Sequence, residues 1–303
     1  WLKYVPGFED DAKTPAMLTH PITAISDDGS AVTPEILDQV LENVKASDLY
    51  LIEHCEHHDT GAVNEGPVSR ELGVPGIPED TELKIVARDI EAARRTGVHV
   101  HFQHVSTAIS FEAIRRAKAE GLPITCETAP HYLALSDEAL LKYGTLAKMN
   151  PPLRTKEDRQ ALLEGLKNDV FDVISTDHAP HTMVEKGVSM KSAPFGIVGL
   201  ETSVSLTITE LVDKGWITPM QMAEKMSYNP AKVIGSDRGS LEVGKDADIV
   251  IFNPKKTYQI DKNNFASKGR NTPFDGRTVT GEVEYTICGG KMIYEKEMTG
   301  EKA

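Results

Sequence analysis

The stretch that decides the fold is VFDVISTDHAPH, residues 170–181. An apolar, β-branched run ends at Ser175 and Thr176, and a carboxylate, Asp177, follows at once with two imidazoles, His178 and His181. Such a pattern has two readings: an N-cap aspartate beside two solvated histidines, or a strand end whose acid binds a metal and shuttles a proton. What lies upstream favours the second. Four more runs share the design, namely Pro21–Ser26, Leu49–Glu53, Val98–Gln103 and Pro123–Glu127. Each ends on polar or ionisable residues: Asp27 and Asp28, His54, His104, and Glu127 with His131 just beyond.

Between these runs lie amphipathic stretches, Pro34–Lys45, Thr81–Thr96, Ser110–Glu120 and Lys156–Lys167, with apolar residues at i, i+3 and i+4. Ser110 reads as an N-cap and Gly121 as a C-terminal stop. Strands alternating with helices predict parallel βα units. In a TIM barrel the C-terminal ends of successive strands share one rim, whereas a doubly wound sheet gathers only those near its switch point. The spread of polar strand ends therefore predicts an α/β (β/α)8 TIM barrel, with a further strand possible in Trp1–Val5. Two more helices are expected at Gly199–Lys214 and Pro219–Met226. Beyond Gly235 the texture becomes alternating strand and turn, with a Gly289-Gly290 hairpin signal. The expected division is a catalytic partial barrel over 1–235 and a C-terminal β segment over 236–303.

Composition narrows the function classes. The 303 residues hold 33 Lys and Arg against 46 Asp and Glu, a net charge of −13 with no basic block, which argues against nucleic acid as a partner. No apolar run reaches the ~18 residues of a spanning helix, so no membrane partner is expected. Cys55, Cys126 and Cys288 are too scattered for a disulfide framework or a CxxC site. They read as small buried residues of a reducing compartment, and the expected location is the cytoplasm. The chain starts at Trp1 rather than Met, with no signal-like segment, so a processed, cleaved or truncated chain is expected.

Zinc takes imidazole nitrogens and carboxylate oxygens, and a catalytic site leaves one position open. Asp27, His54 and His104, at the ends of three different strands, could meet on one or two ions. His20, His57, His58, His99 and His101 lack that support and read as packing or surface residues.

ISTDHAPHT, residues 174–182, resembles a signature of dihydroorotases. So do HFQHVST (101–107), KMNPPLRTKEDR (148–159), APFGIVGLET (193–202), SRELGVPGIP (69–78) and FASKGRNTPF (265–274). The resemblance runs from about Ile25 to the end of the chain. It implies an amidohydrolase-type (β/α)8 barrel, represented here by about strands four to eight, plus the C-terminal part of a small β-sandwich. It implies zinc-dependent, reversible cyclisation of N-carbamoyl-L-aspartate to L-dihydroorotate in pyrimidine biosynthesis. By the same resemblance Asp27 matches a metal-bridging Asp, His54 and His104 two ligands of the second metal, and Asp177 a ligand of the first metal that is also the catalytic acid and base. Asn150, His181, Pro194, Phe195 and Gly196 match substrate-contacting positions.

One feature of the family has no counterpart. Its opening strand carries a His-x-His-x-Arg type motif, whereas the HxH of this chain, His99 to His101, lies on another strand and no such Arg follows it. The expectation is a chain lacking the family's N-terminal part, holding one zinc ion or none where the complete family holds two, and inactive or impaired. A homo-oligomer is expected from the open sheet edge. The alternatives are a non-catalytic subunit scaffolding aspartate transcarbamoylase, or a hydantoinase- or allantoinase-type cyclic amidohydrolase.

Overall fold

A computed structural model describes residues 24–26, 29, 31–56 and 61–296. The strands are β1 (Ala24–Ser26), β2 (Tyr50–Glu53), β3 (Val63–Asn64), β4 (Gly76–Ile77), β5 (Val100–Phe102), β6 (Ile124–Thr128), β7 (Val173–Ile174), β8 (Ile249–Gln259), β9 (Thr278–Cys288) and β10 (Lys291–Glu295). Five of them form one parallel sheet in the order β1-β2-β5-β6-β7. These are the five runs expected from sequence: β2, β5 and β7 are shorter than their runs, and β6 keeps five residues but lies one position later than Pro123–Glu127. Residues 21–23 and the possible strand at Trp1–Val5 lie outside the described residues, as do His20, Asp27, Asp28, His57 and His58.

Helices cross between the strands because their apolar spacing demands a buried face. The helix Pro34–Ala46 buries Leu37, Val40, Leu41 and Val44, at intervals of three, one and three residues. These pack on Ile25, Leu51 and Val98 in a small core beneath β1 and β2. The larger core joins Val100 and Phe102 of β5 to Leu162, Leu166 and Phe171, and Phe171 stacks on Phe111 with centroids 5.4 Å apart. Helix Lys156–Lys167 opens on a capping box in which Thr155 and Asp158 satisfy each other's backbone N–H groups. Asp158 also accepts from the Ala108 N–H at 2.8 Å, so one acid caps two helices.

Three expected details change. The helix after β5 spans Ala108–Ala119, and its N-cap is Thr107, whose hydroxyl accepts from the Ser110 N–H at 3.2 Å. Ser110 sits inside the first turn because Thr107 is already held in extended backbone by Glu82. The expected helices at Gly199–Lys214 and Pro219–Met226 are each broken into α turns and a wider π-type turn, at Ile208–Val212 and Glu224–Tyr228. Cys55 and Cys126 are buried as expected, whereas Cys288 is exposed because it ends β9 beside the hairpin. Burial pushes the Cys126 thiol up to about 12.

The C-terminal strands form an antiparallel sheet in the order β10-β9-β8. Gly289 (φ 54°) and Gly290 (φ 75°) make the expected two-residue hairpin, a geometry in which both central residues need positive φ. The sheet docks through β9: Gly281 leaves no space for a Cβ against Ile208, and the Thr280 N–H donates to Thr209 Oγ1 at 2.8 Å.

A buried carboxylate fixes the turn after β5. Glu82 Oε2 accepts from the N–H and hydroxyl of Ser106, and Oε1 from those of Thr107, at 2.5–3.0 Å. Arg154 donates to Ser106 Oγ at 3.1 Å and to Asn64 Oδ1 at 2.9 Å, tying the MNPPLR segment to the same turn. Replacing Glu82 by Ala orphans four buried donors and is expected to destabilise the fold by about 3 kcal/mol. Removing the exposed Glu91, paired only to Arg94 one turn on, should cost at most ~0.5 kcal/mol. Urea unfolding of the two variants checks the contrast.

His99 and His101 pack, as expected. Their Nε2 and Nδ1 atoms each stand 2.8 Å from Thr125 Oγ1. Burial, then the neighbouring His101, draws His99 down from 6.5 to about 4. Between those values the unfolded chain binds the extra proton, so stability is full above 6.5 and falls as the pH drops toward 4. The urea midpoint should fall across that window, with a shallower fall in His99→Gln.

Candidate active site

The C-terminal ends of β2, β5 and β7 bring His54, His104 and Asp177 together. The imidazoles of His54 and His104 lie with centroids 4.8 Å apart, tilted by 59°. His104 is buried, and its Nδ1 has no hydrogen-bond partner. His54 Nδ1 accepts from the Gly29 N–H at 3.1 Å, so its lone pair faces the segment that leaves β1.

Two of these residues stand in an unusual backbone conformation. His104 has φ 32° and Asp177 φ 46°, in the left-handed region that non-glycine residues seldom enter. Each strand end is therefore turned sharply at the residue that carries the functional side chain.

Electrostatics make the group a unit. Burial alone would raise Asp177, but His131, His104 and His54 more than offset it and hold its carboxyl below the usual range. Burial, chiefly, lowers His104, against the raising effect of Asp177. A lone pair on neutral imidazole and an ionised carboxylate are the states in which these groups bind a cation. Among the described residues, no three His, Cys, Asp or Glu side chains are drawn together closely enough to hold a metal ion by themselves. Asp27, the remaining expected ligand, lies outside those residues. The donor set still fits zinc: two imidazoles and a carboxylate, with the buried His104 Nδ1 left orphaned.

His131 is the residue that sequence reasoning placed near the rim but not in the site. Its Nε2 lies 3.4 Å from Asp177 Oδ2, at ion-pair distance and without hydrogen-bond geometry. Pro130 starts a short helix immediately after β6 and turns His131 inward. The signal was available as a further imidazole beyond a strand end.

Of the expected substrate-contacting residues, His181 is joined directly to the 194–196 loop. His181 Nε2 donates to the Phe195 carbonyl at 2.8 Å, and its backbone N–H to Asn271 Oδ1 at 2.9 Å. Pro194 and Phe195 are half-buried and Gly196 is buried, in a loop that runs back beside His178 through the Ile197 bridge. Asn150 is half-buried in the neighbouring segment. His178 is structural: its Nδ1 accepts from the N–H groups of Gly199 and Leu200 at 3.1 and 3.3 Å.

Parallel strands whose C-terminal ends converge on imidazoles and a carboxylate define an α/β protein of hydrolase type. The sequence profile described as "Amidohydrolase family" matches residues 7–293, and the chain belongs to that family. Two curated relatives are both named "Dihydroorotase". The one from Caldanaerobacter subterraneus subsp. tengcongensis is 46% identical over 93% of this chain and 66% of its own. The one from Pelotomaculum thermopropionicum is 49% identical over 90% of this chain and 65% of its own. The chain thus spans just under two thirds of the length of these relatives. Among solved structures, an L-hydantoinase (dihydropyrimidinase) from Arthrobacter aurescens superposes with a TM-score of 0.79 at 28% identity, covering 90% of this chain and 64% of that one. A dihydropyrimidinase from Brevibacillus agri NCHU1002 shares the fold, with a TM-score of 0.82 at 24% identity over 96% of this chain and 67% of that one.

Gly196 tests the loop. It has φ 135°, and a Cβ there would meet Ala179 Cβ at 2.7 Å and His181 Cδ2 at 3.1 Å. Gly196→Ala should displace the loop and His181 together and cost about 1–3 kcal/mol. Thermal unfolding and amide exchange over 178–198 check it.

Proposed function

We propose that this site carries out dihydroorotase chemistry, the reversible interconversion of N-carbamoyl-L-aspartate and L-dihydroorotate. The observation that carries the reading is the convergence of Asp177 with His54 and His104 at the ends of three parallel strands. The 45–49% identity to proteins named dihydroorotase supports this substrate over hydantoin or allantoin. We read the parallel sheet as about strands four to eight of a (β/α)8 barrel over 1–235, and the antiparallel sheet, within 236–303, as part of a small β-sandwich. A second copy of the chain is a proposed partner on the open sheet edge, and an aspartate transcarbamoylase on the resemblance alone. No described helix is long and apolar enough to cross a membrane.

His54, His104, Asp177 and Asp27 are the proposed ligands. Zinc, when bound, supplies Lewis-acid activation of carbonyl and water. In the hydrolytic direction a carboxylate oxygen of Asp177, kept ionised by its imidazole neighbours, takes a proton from the attacking water and delivers it to the departing ring nitrogen. In the cyclising direction the same carboxylate accepts the proton lost by the ureido nitrogen and returns it to the departing oxygen, which takes one further proton from solvent and leaves as water. His181 and the backbone of Pro194–Gly196 orient the ring, and Asn150 contacts it from the neighbouring segment.

The 303 residues hold no His-x-His followed by the substrate-binding Arg of the family. We therefore propose that this chain alone holds at most one zinc ion, weakly, and turns over dihydroorotate slowly or not at all. Metal analysis is expected to find less than one tightly held ion per chain. Two tightly bound ions with steady turnover would overturn that part. Extending the chain at its N-terminus with an HxH-bearing segment should restore activity on dihydroorotate and not on hydantoin or allantoin. In that extended chain Asp177→Asn should lower kcat by roughly 10²–10⁴. Turnover of hydantoin or allantoin in place of dihydroorotate would overturn the substrate assignment.

A further inference from the structure

Two lysines that the proposed chemistry does not use are buried behind the 193–196 loop. Lys148 is 3% exposed and Lys186 1%. Lys186 Nζ donates to the carbonyls of Lys148, Pro194 and Gly196 at 2.9, 2.9 and 3.0 Å. Lys148 Nζ donates to those of Ala193, Met190 and Lys191 at 2.6, 2.8 and 3.3 Å, and lies 4.4 Å from the centroid of the Phe195 ring. The Lys148 carbonyl also accepts from the Gly196 N–H at 3.1 Å. An ammonium group has three donors, so each lysine is saturated by backbone. Two like charges are unfavourable neighbours in a buried place: burial, then Lys148, pulls Lys186 down to about 8. Six charge-assisted bonds to carbonyls work against that loss, because such bonds favour the charged form.

The loop so held ends on a functional contact. The Phe195 carbonyl can only accept, so His181 must carry its proton on Nε2 to make the 2.8 Å bond. Asn271 completes the frame: its Nδ2 donates to the Gly196 and Ala179 carbonyls while Oδ1 receives the His181 N–H.

The geometry points to Lys148 and Lys186 as positioning residues: the two buried side chains set the loop 190–196 from behind and, through the Phe195 carbonyl, fix the ring and tautomer of His181. It rests on the reading above only for the role of His181 toward the substrate. It goes beyond that reading by naming what orients the residue.

The test is NMR on the 15N-labelled 303-residue chain, with His181→Gln to assign the ring. In the unsubstituted chain the His181 Hε2 proton should be visible and Nε2 the protonated nitrogen. In Lys186→Met, and separately in Lys148→Met, that proton should be lost to solvent exchange. The amides of 193–198 should then exchange about tenfold faster or more, with those of β5 and β6 unchanged. Lys191→Met, on the exposed lysine of the same loop, should leave all of them as they were. Having both lysine variants guards against one failing to fold. Unchanged His181 and loop signals in the variants, or equal acceleration throughout the chain, would overturn the assignment. L-dihydroorotate added to the zinc-loaded chain extended at its N-terminus with the HxH-bearing segment separates the two readings. If it shifts no loop or His181 resonance, the substrate assignment fails while the exchange data still decide the role of the lysines.

Discussion

The four hydrogen bonds into the buried carboxylate of Glu82 are the constraint on which the site side of the molecule depends. Glu82 belongs to the helix Asp80–Thr96, but its acceptors are filled by Ser106 and Thr107 of the turn that leaves β5. That turn follows His104 directly. An ionised acid in a dry environment is tolerable only when its lone pairs are satisfied, and here backbone and hydroxyl donors do so without a countercharge on the same oxygens. The consequence is rigidity at the point where the chain reverses. Arg154 then uses the same Ser106 as an acceptor, so the segment bearing Asn150 inherits its position from Glu82 at one remove.

With the turn fixed, the chain can hold His104 and Asp177 at positive φ, each at a cost on the order of 1–3 kcal/mol. The strain has a geometric product. A regular strand would continue along its own axis and carry successive side chains to opposite faces of the sheet. A left-handed residue at the strand end instead breaks that alternation and lets imidazoles and a carboxylate from separate strands meet. Once they meet, their titrations are linked: the histidines around Asp177 outweigh its burial and hold its carboxyl below the usual range, and burial lowers His104 against the raising effect of Asp177.

Much of this was legible in the sequence, and for a physical reason. The strands are short β-branched runs whose burial is dictated by composition, and their polar ends cannot be absorbed by an apolar core. The Gly289-Gly290 turn was legible because few residue pairs accept two positive φ angles. What was not legible depends on contacts distant in the chain. Ser110 looked like a helix cap because it precedes Phe111-Glu112, but Thr107 takes that place through a glutamate 25 residues upstream. The breaks within the helices that follow Gly199 could not be read from periodicity, since a π-type turn keeps an apolar face nearly in register. Nothing in the sequence marked Lys148 and Lys186, because a buried lysine leaves no local sign when its acceptors are backbone carbonyls.

The distribution of positive charge then bears on how an anionic substrate would be held. The chain is strongly acidic, with a net charge of −13, so its long-range field repels a dianion. Among the described residues, three buried cations are committed elsewhere. Lys148 and Lys186 direct their donors into carbonyls behind the loop, and Arg154 points its own at Ser106, Asn64 and the Ile77 carbonyl. None can turn toward a carboxylate without leaving buried acceptors unsatisfied. The described residues around Asp177 thus bring little net positive charge of their own. Under the proposed reading, attraction for the substrate would come from a cation held by the imidazoles.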